Sequence, residues 1–442
     1  MTPSHVGIGI LAALVLAAPG MVQAGPAIAP IDPPARSSFD PQLLTRGAQL
    51  AAIGNCNACH TAPGGKPYAG GRALKTPFGT IYGTNITPDP ETGIGRWSEA
   101  AFSRAMREGL DRQGRHLYPA FPYDHFTKLS DEDVMSIYAF IMTRDPVRAE
   151  TPPNALPFPF NIRALIGVWK RLFFERGVWQ PDAGQSAEWN RGAYLADGLG
   201  HCGACHTPRN ALGAEKKKEF FAGGEAEGWH APALNARSPS PVPWTAASLY
   251  AYLRTGVDEL HAVPAGPMAP VVHNLAAAPE RDVRAIATYV ASVIGPPTPE
   301  RQSQARQLLA QEKRREISAA RVDTGTPKAL GETAPDGAAI YAGACGICHD
   351  SGRATSSGGA LQLALSIAVA LPTPRNLIYI IQQGIMPPEH EPGRFMPSFD
   401  GALTSEQMAA LVAYIRTDLG KAPAWQNVHA EVNKVMQERR QR

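Results

Sequence analysis

All six cysteines of the chain fall in three copies of the pattern Cys-x-x-Cys-His. The copies comprise Cys56, Cys59 and His60; Cys202, Cys205 and His206; and Cys345, Cys348 and His349. Two thiols at this spacing lie one helical turn apart and can reach the two vinyl groups of one porphyrin, while the adjacent histidine binds the iron. The pattern therefore predicts three covalently bound haem c groups, with the three histidines as proximal iron ligands.

A single copy of this motif has two other interpretations, a redox dithiol or half of a zinc site. A structural zinc site needs two Cys-x-x-Cys pairs close together, and here the pairs lie far apart in the chain. Three complete copies with no cysteine left over favour haem attachment over both alternatives.

The composition excludes some classes of function. A formal net charge of +3 is too small to indicate nucleic-acid binding. Residues 8–18 are apolar and are followed by Val22-Gln23-Ala24, which predicts a signal peptide over residues 1–24, with Gly25 as the first mature residue. An uncleaved anchor is the alternative, although the apolar stretch is short for a membrane span. No later stretch is apolar enough to span a membrane, so membrane contact would be peripheral or through a partner. Export fits c-type haem, which in bacteria is attached outside the cytoplasm.

Each haem motif belongs to a longer repeat. A short helix precedes the motif, a second helix ends at Gly109, Gly256 or Gly384, and a last helix closes the unit at 129–141, 278–290 or 403–415. In the first two units, the hydroxyl groups of Ser98 and Thr245 are the expected N-caps of the second helix. This order predicts an all-α protein of three tandem class I cytochrome c domains joined by linkers. The expected divisions are a signal peptide 1–24, domain one 38–150, an aromatic and basic linker 151–184, domain two 185–296, a charged linker 297–332, domain three 333–420, and an amphipathic basic tail 421–442.

Two of these segments are candidates for contact with a membrane surface or a partner subunit. The 151–184 linker interleaves aromatic and aliphatic residues with arginine and lysine, and the tail carries a helical stripe that includes Trp425 and Val432. The alternative for both is packing against the protein's own domains.

The repeat also predicts the sixth iron ligands. Met268 and Met396 each lie twelve residues after a helix-ending glycine, beside a proline, and we assign them to the second and third haems. Met386 competes for the third haem but lies only two residues past Gly384. In the first unit the same count falls on Phe121, which cannot bind iron. His125 is then the favoured ligand, with His116 or an open site as alternatives.

Several stretches resemble the triple-haem cytochrome c subunit of bacterial membrane-bound dehydrogenases. They are Thr76-Pro77-Phe78-Gly79-Thr80-Ile81-Tyr82, Leu117-Tyr118-Pro119-Ala120, residues 187–195 with 202–213, and Gly266-Pro267-Met268. The resemblance implies an electron-transfer subunit without a catalytic site of its own. It also implies transfer from a molybdenum, quinoprotein or flavoprotein dehydrogenase that oxidises an aldehyde or an alcohol, with a possible small third subunit, to ubiquinone.

The resemblance further implies a periplasmic position on the outer face of the inner membrane. Phe121 departs from the quinoprotein and flavoprotein partners' cytochromes, which usually carry methionine there, and this favours a molybdenum-hydroxylase partner. Two other functions stay open: a peroxidase-like enzyme with an open first haem, and a free soluble electron shuttle.

Overall fold

The structure, a computed structural model, describes residues 25–319, 335–350, 361–387 and 395–440. The predicted signal peptide lies outside them. The described residues form two compact units, one of residues 25–182 with 197–201, the other of 183–196 with the residues from 202 onward. The second unit thus holds both the second and the third haem motif. The division into three domains remains a prediction.

The first unit is built around one helix crossing. Its helices are Pro41–Ile53, Cys56–His60, Glu99–Glu108, Tyr123–Phe126, Asp131–Met142 and Leu165–Phe173. The first and fifth of these pack so closely that a Cβ atom on Gly47 would lie 1.9 Å from the carbonyl oxygen of Ser136. An ion pair between Arg46 and Asp133, 2.6 Å long, fixes the same two helices.

The second unit repeats this crossing twice. Its helices are Ala187–Tyr194, Gly203–His206, Ala246–Thr255, Met268–Ala276, Glu280–Ile294, Pro299–Ala319, Gly337–Ala344, Gly346–His349, Ile367–Ala370, Arg375–Gln383, Ser405–Tyr414 and Val428–Arg440. A Cβ atom on Gly192 would lie 1.9 Å from the Ala285 oxygen, and one on Gly337 would lie 2.2 Å from the Ala410 oxygen. The same glycine contact therefore recurs in all three repeats, because no side chain fits between the crossing backbones.

The helix limits follow the local sequence. Ser98 and Thr245 accept hydrogen bonds from backbone N–H groups in the first turns of the helices that they precede. Gly109 and Gly256 end these helices in the left-handed conformation, with φ of 60° and 74°. These starts and stops are those that the sequence predicts.

Two short antiparallel hairpins amend the all-α prediction. Ala73–Thr76 pairs with Gly79–Tyr82, and Gly224–Ala226 pairs with Trp229–Ala231. In the second hairpin, both turn residues, Glu227 and Gly228, have positive φ, which is the backbone of a tight hairpin turn. Shorter turns of 3-10 and π geometry are Arg36–Ser38, Lys217–Glu219, Leu363–Leu365, Leu195–Leu199 and Ile415–Leu419.

The tail packs against the third predicted domain. Val432 and Val435 are fully buried in its core, and Trp425 Nε1 donates to the Leu371 carbonyl at 2.8 Å. Arg375 holds the tail helix through Glu431 and Glu438. The apolar stripe of the tail is therefore used for internal packing. No helix in the described part of the chain is long and apolar enough to cross a bilayer.

Candidate haem sites

Each Cys-x-x-Cys-His motif lies in or beside a single helical turn: Cys56–His60, Gly203–His206 and Gly346–His349. Residues three apart share one face of a helix, so the two cysteines of each motif lie on the same side. All six thiols are partly buried.

A backbone carbonyl orients each motif histidine. His60 Nδ1 lies 2.7 Å from the Thr84 oxygen, and His206 Nδ1 lies 2.7 Å from the Pro232 oxygen. His349 Nδ1 lies 3.0 Å from the Leu361 oxygen. Because a carbonyl can only accept, each Nδ1 carries the proton, and Nε2 keeps the lone pair that an iron ligand needs.

Burial also favours the neutral form of the three motif histidines. It lowers the pKa of His60, His206 and His349 below the ordinary value, and the carbonyl contacts oppose this only in part. The three imidazoles are therefore neutral at pH 7, as metal ligands must be.

The cysteines do not resemble reactive dithiols. Burial, together with Cys59, raises the pKa of the Cys56 thiol to about 12. Burial, with Cys348 and Asp350, raises the pKa of Cys345 to about 11. Redox dithiols have a lowered pKa, so these two motifs do not fit the dithiol alternative.

The structure places Met268 at the start of the helix Met268–Ala276, partly buried, directly after Gly266 and Pro267. Gly266 has φ of 54°, and a Cβ atom there would lie 2.3 Å from the indole of Trp229. The loop that presents Met268 is thus fixed against one aromatic ring.

The two candidates for the third haem differ in their surroundings. Met396 is partly buried, and its backbone pairs with Ile385 through two hydrogen bonds of 2.9 Å. Met386 is 68% exposed. The pairing ties Met396 to the residue that follows Gly384, at the end of the helix Arg375–Gln383.

In the first unit, Phe121 packs edge-on against Phe126, with ring centroids 5.3 Å apart. The nearby His125 is buried, and its Nδ1 lies 2.8 Å from the Asp197 carbonyl oxygen. This bond leaves the lone pair on Nε2, the same tautomer as in the three motif histidines.

His116 and His201 also differ in their positions. The His116 ring packs against Gly167 in the linker helix, where burial, Lys170 and Arg163 lower its pKa to about 4. His201, just before Cys202, is partly buried and lies 6.4 Å from His125, ring to ring. The structure thus brings His125 and His201 together and places His116 against the linker.

Trp229 is a site residue that the sequence did not indicate. It stands at the start of the strand Trp229–Ala231, whose next residue is Pro232, the carbonyl partner of His206. It also contacts the Met268 loop through Gly266. In the sequence, only Gly228 directly before Trp229 hints at a tight turn, and no local pattern indicates the role of Trp229 beside the haem motif.

The donor set fits haem c. Each motif offers two thiols on one helical turn and a neutral imidazole with its Nε2 lone pair in place, next to a glycine-mediated helix crossing. Such domains define a c-type cytochrome.

Comparison with known proteins agrees. The cytochrome c family model matches residues 44–145, and the model described as cytochrome c oxidase, cbb3-type, subunit III matches residues 332–415. The chain is 48% identical to a nicotinate dehydrogenase subunit of Pseudomonas putida, over 92% of this chain but only 33% of that protein. This chain thus spans about a third of that relative.

Two further relatives match over most of both chains. The fructose dehydrogenase cytochrome subunit of Gluconobacter japonicus is 38% identical, over 89% of this chain and 83% of that one. The cytochrome c subunit of the quinone alcohol dehydrogenase of Gluconacetobacter polyoxogenes is 35% identical, over 87% and 82%. The chain belongs to the family of cytochrome c subunits of bacterial dehydrogenases.

Proposed function

We propose that this protein carries electrons from a catalytic dehydrogenase subunit to ubiquinone, on the periplasmic face of the inner membrane. The observation that carries the proposal is the threefold site: three motifs, each with its histidine held on Nδ1 by a backbone carbonyl. Family membership supports the same role, since the relatives are subunits of fructose and alcohol dehydrogenases.

In this function, the polypeptide holds the haem groups in position and supplies the ligands of their iron. Haem c supplies reversible one-electron chemistry when bound. The cysteines fix its position, and His60, His206 and His349 supply the proximal nitrogen. The carbonyls of Thr84, Pro232 and Leu361 keep each imidazole in one tautomer and one orientation.

We assign Met268 and Met396 as sixth ligands of the second and third haems, and His125 as that of the first. The backbone hydrogen bonds between Met396 and Ile385 support the assignment of Met396. The contact between Trp229 and Gly266, in the loop before Met268, supports the assignment of Met268. The buried ring of His125, with Nδ1 bonded to Asp197, supports the third. With one haem bound at each site, the protein would carry three haems in three cytochrome c domains.

We infer that the partner is a molybdenum hydroxylase that oxidises an aldehyde or an N-heterocycle. The identity of 48% to a nicotinate dehydrogenase subunit exceeds the 38% and 35% to the fructose and alcohol subunits. Phe121 at the expected methionine position points the same way.

The haem content is the first test. The exported protein should give a c-type pyridine haemochrome and an intact mass with three added haems, beginning at Gly25. The double substitution Cys202→Ser and Cys205→Ser should remove one haem and leave two. Fewer than three haems in the unaltered protein would contradict the proposal.

The electron route is the second test. The co-purified dehydrogenase and its substrate should reduce the haems, and a ubiquinone analogue should reoxidise them at the rate of turnover. Oxidation by hydrogen peroxide that is faster than oxidation by the quinone would favour the peroxidase-like alternative. A protein that purifies alone from the soluble fraction would favour the free shuttle.

A further inference from the structure

The linker helix Leu165–Phe173 buries a charged side chain and exposes two aliphatic ones. Lys170 is only 9% exposed, whereas Leu172 is 64% exposed and Val168 is 40% exposed. Charged residues are rarely buried, and large aliphatic side chains at a surface are informative when they cluster. Val168 and Leu172 are four residues apart and so lie on the same face of the helix.

Specific partners hold the inward face. The Lys170 ammonium donates to the Gly109 carbonyl at 2.8 Å and to the Glu108 carbonyl, at the end of the helix Glu99–Glu108. These carbonyls have no partner within their own helix, so the lysine completes that helix end. Lys170 also lies 4.6 Å from the ring centre of Tyr123.

Aromatic contacts fix the same side of the helix. Trp169 lies 6.4 Å from Tyr123, ring to ring, and 5.6 Å from Phe173. Phe174, directly after the helix, lies 5.3 Å from Tyr123. The helix is therefore anchored on one face, and the exposure of Val168 and Leu172 on the other is a fixed feature of the first unit.

The rest of the segment adds apolar and basic groups. Phe158 is 76% exposed, and Phe160 is also exposed although it touches Phe78. Between residues 156 and 178 the chain has four basic residues and one acidic residue. Arg176 pairs with Glu108 at 2.9 Å, whereas Arg171, next to Leu172, is exposed and forms no ion pair with any residue that the structure describes. Apolar and aromatic side chains beside an unpaired cation suit the boundary of an anionic bilayer.

We propose that Phe158, Val168, Leu172 and Arg171, here called the linker surface, bind the headgroup region of an anionic phospholipid bilayer. The proposal rests on the proposed function, to which it adds the place of membrane attachment. The tail, the other candidate segment, has its apolar stripe buried in the core around Val432 and Val435. The apolar side chains enter the interface, and Arg171 contacts lipid phosphate.

The test uses the full-length protein with its haems, sedimented with vesicles of phosphatidylglycerol and phosphatidylethanolamine. The bound fraction should fall at least tenfold in Leu172→Glu and several-fold in Arg171→Glu, and it should fall as salt is raised. Leu212→Glu is the matched control, since Leu212 is 53% exposed in the second unit, and it should bind like the unaltered protein. Leu172 is exposed, so its substitution leaves the anchored face of the helix intact.

Either of two results would overturn the proposal. One is that the unaltered protein does not sediment with the vesicles, and the other is that Leu172→Glu sediments equally well. If Leu172→Glu sediments equally well but loses the dehydrogenase subunit, the surface is a subunit interface. Haem reduction by the dehydrogenase in detergent solution is measured in parallel, so a failure of membrane binding is distinguished from a failure of electron transfer.

Discussion

The indole ring of Trp229 stacks on the phenol ring of Tyr379, with centroids 4.9 Å apart and planes 21° from parallel. Both rings are buried. Around them, the His230 backbone N–H donates to the Asn376 side chain at 2.8 Å, and the same side chain donates back to the His230 carbonyl. The hairpin that leads to the His206 carbonyl contact is thus bound to the helix Arg375–Gln383.

This stack should contribute strongly to the stability of the second unit. Trp229→Ala should lower its free energy of unfolding by about 3–5 kcal/mol, because it removes a large buried ring and its partner contacts. Trp229→Phe keeps a ring against Tyr379 and should cost clearly less. Urea unfolding followed by circular dichroism measures both, and equal losses would show that the stack itself adds little.

Two glycines of the helix Gly337–Ala344 should have opposite effects on stability when each is replaced by alanine. Gly337→Ala should destabilise by about 1–3 kcal/mol or more, because its Cβ would meet the Ala410 backbone. Gly343→Ala, in the same helix Gly337–Ala344, has nothing within 4 Å of its Cβ and should stabilise by up to about 1 kcal/mol. Thermal unfolding compares the two. A neutral Gly337→Ala would mean that the crossing helices move apart at little cost.

The sixth ligands can be checked by substitution and absorption spectroscopy. Met268→Ala and Met396→Ala should each abolish the weak long-wavelength band of one methionine-ligated ferric haem and lower its reduction potential. Met386→Ala is the control, since Met386 is largely exposed. Loss of the band in Met386→Ala rather than in Met396→Ala would reverse the assignment of the third haem.

The first haem separates the electron-transfer and peroxidase-like functions. The unaltered protein should contain only low-spin haems and bind cyanide slowly. His125→Ala should create one high-spin haem that binds cyanide or carbon monoxide quickly, while His116→Gln should not. A high-spin haem in the unaltered protein would instead indicate an open iron site.

The pH dependence of stability should reflect His116. Burial, with Lys170 and Arg163 beside it, lowers its pKa to about 4, so the unfolded chain binds more protons between pH 6.5 and 4. Above about pH 6.5, His116 is neutral in both states and does not lower the free energy of unfolding. As the pH falls from 6.5 towards 4, protonation of the unfolded chain lowers the free energy of unfolding. His116→Gln should therefore show a shallower fall in urea midpoint over this range.

The exposed His429 provides the control for that experiment. His429→Gln should keep the slope of the unaltered protein. If the urea midpoint of His116→Gln falls with pH as steeply as that of the unaltered protein and of His429→Gln, the His116 imidazole is protonated at little cost in the folded state.

The sequence predicted what local chemistry determines. Ser98 and Thr245 as caps, and Gly109 and Gly256 as terminators, act within a few residues, and the structure has them in these places. The hairpin at Gly224–Ala226 was missed, because its strands are three residues long and show no alternation. The Trp229–Tyr379 stack joins residues far apart in the chain, so no local pattern announces it. The fate of the tail stripe was open for the same reason: an amphipathic helix packs equally well on a membrane or on its own domain.

The short stretch 197–201 belongs to the first unit although it lies just ahead of Cys202. Its Asp197 carbonyl accepts from His125, and Leu199 lies against Gly54, two residues before Cys56. A protein divided at the 151–184 linker to isolate a one-haem fragment would leave this stretch on the wrong piece. Such a fragment would lose the carbonyl that holds His125, the residue proposed as sixth ligand of the first haem, and we expect the ligation of its haem to differ from that in the intact chain.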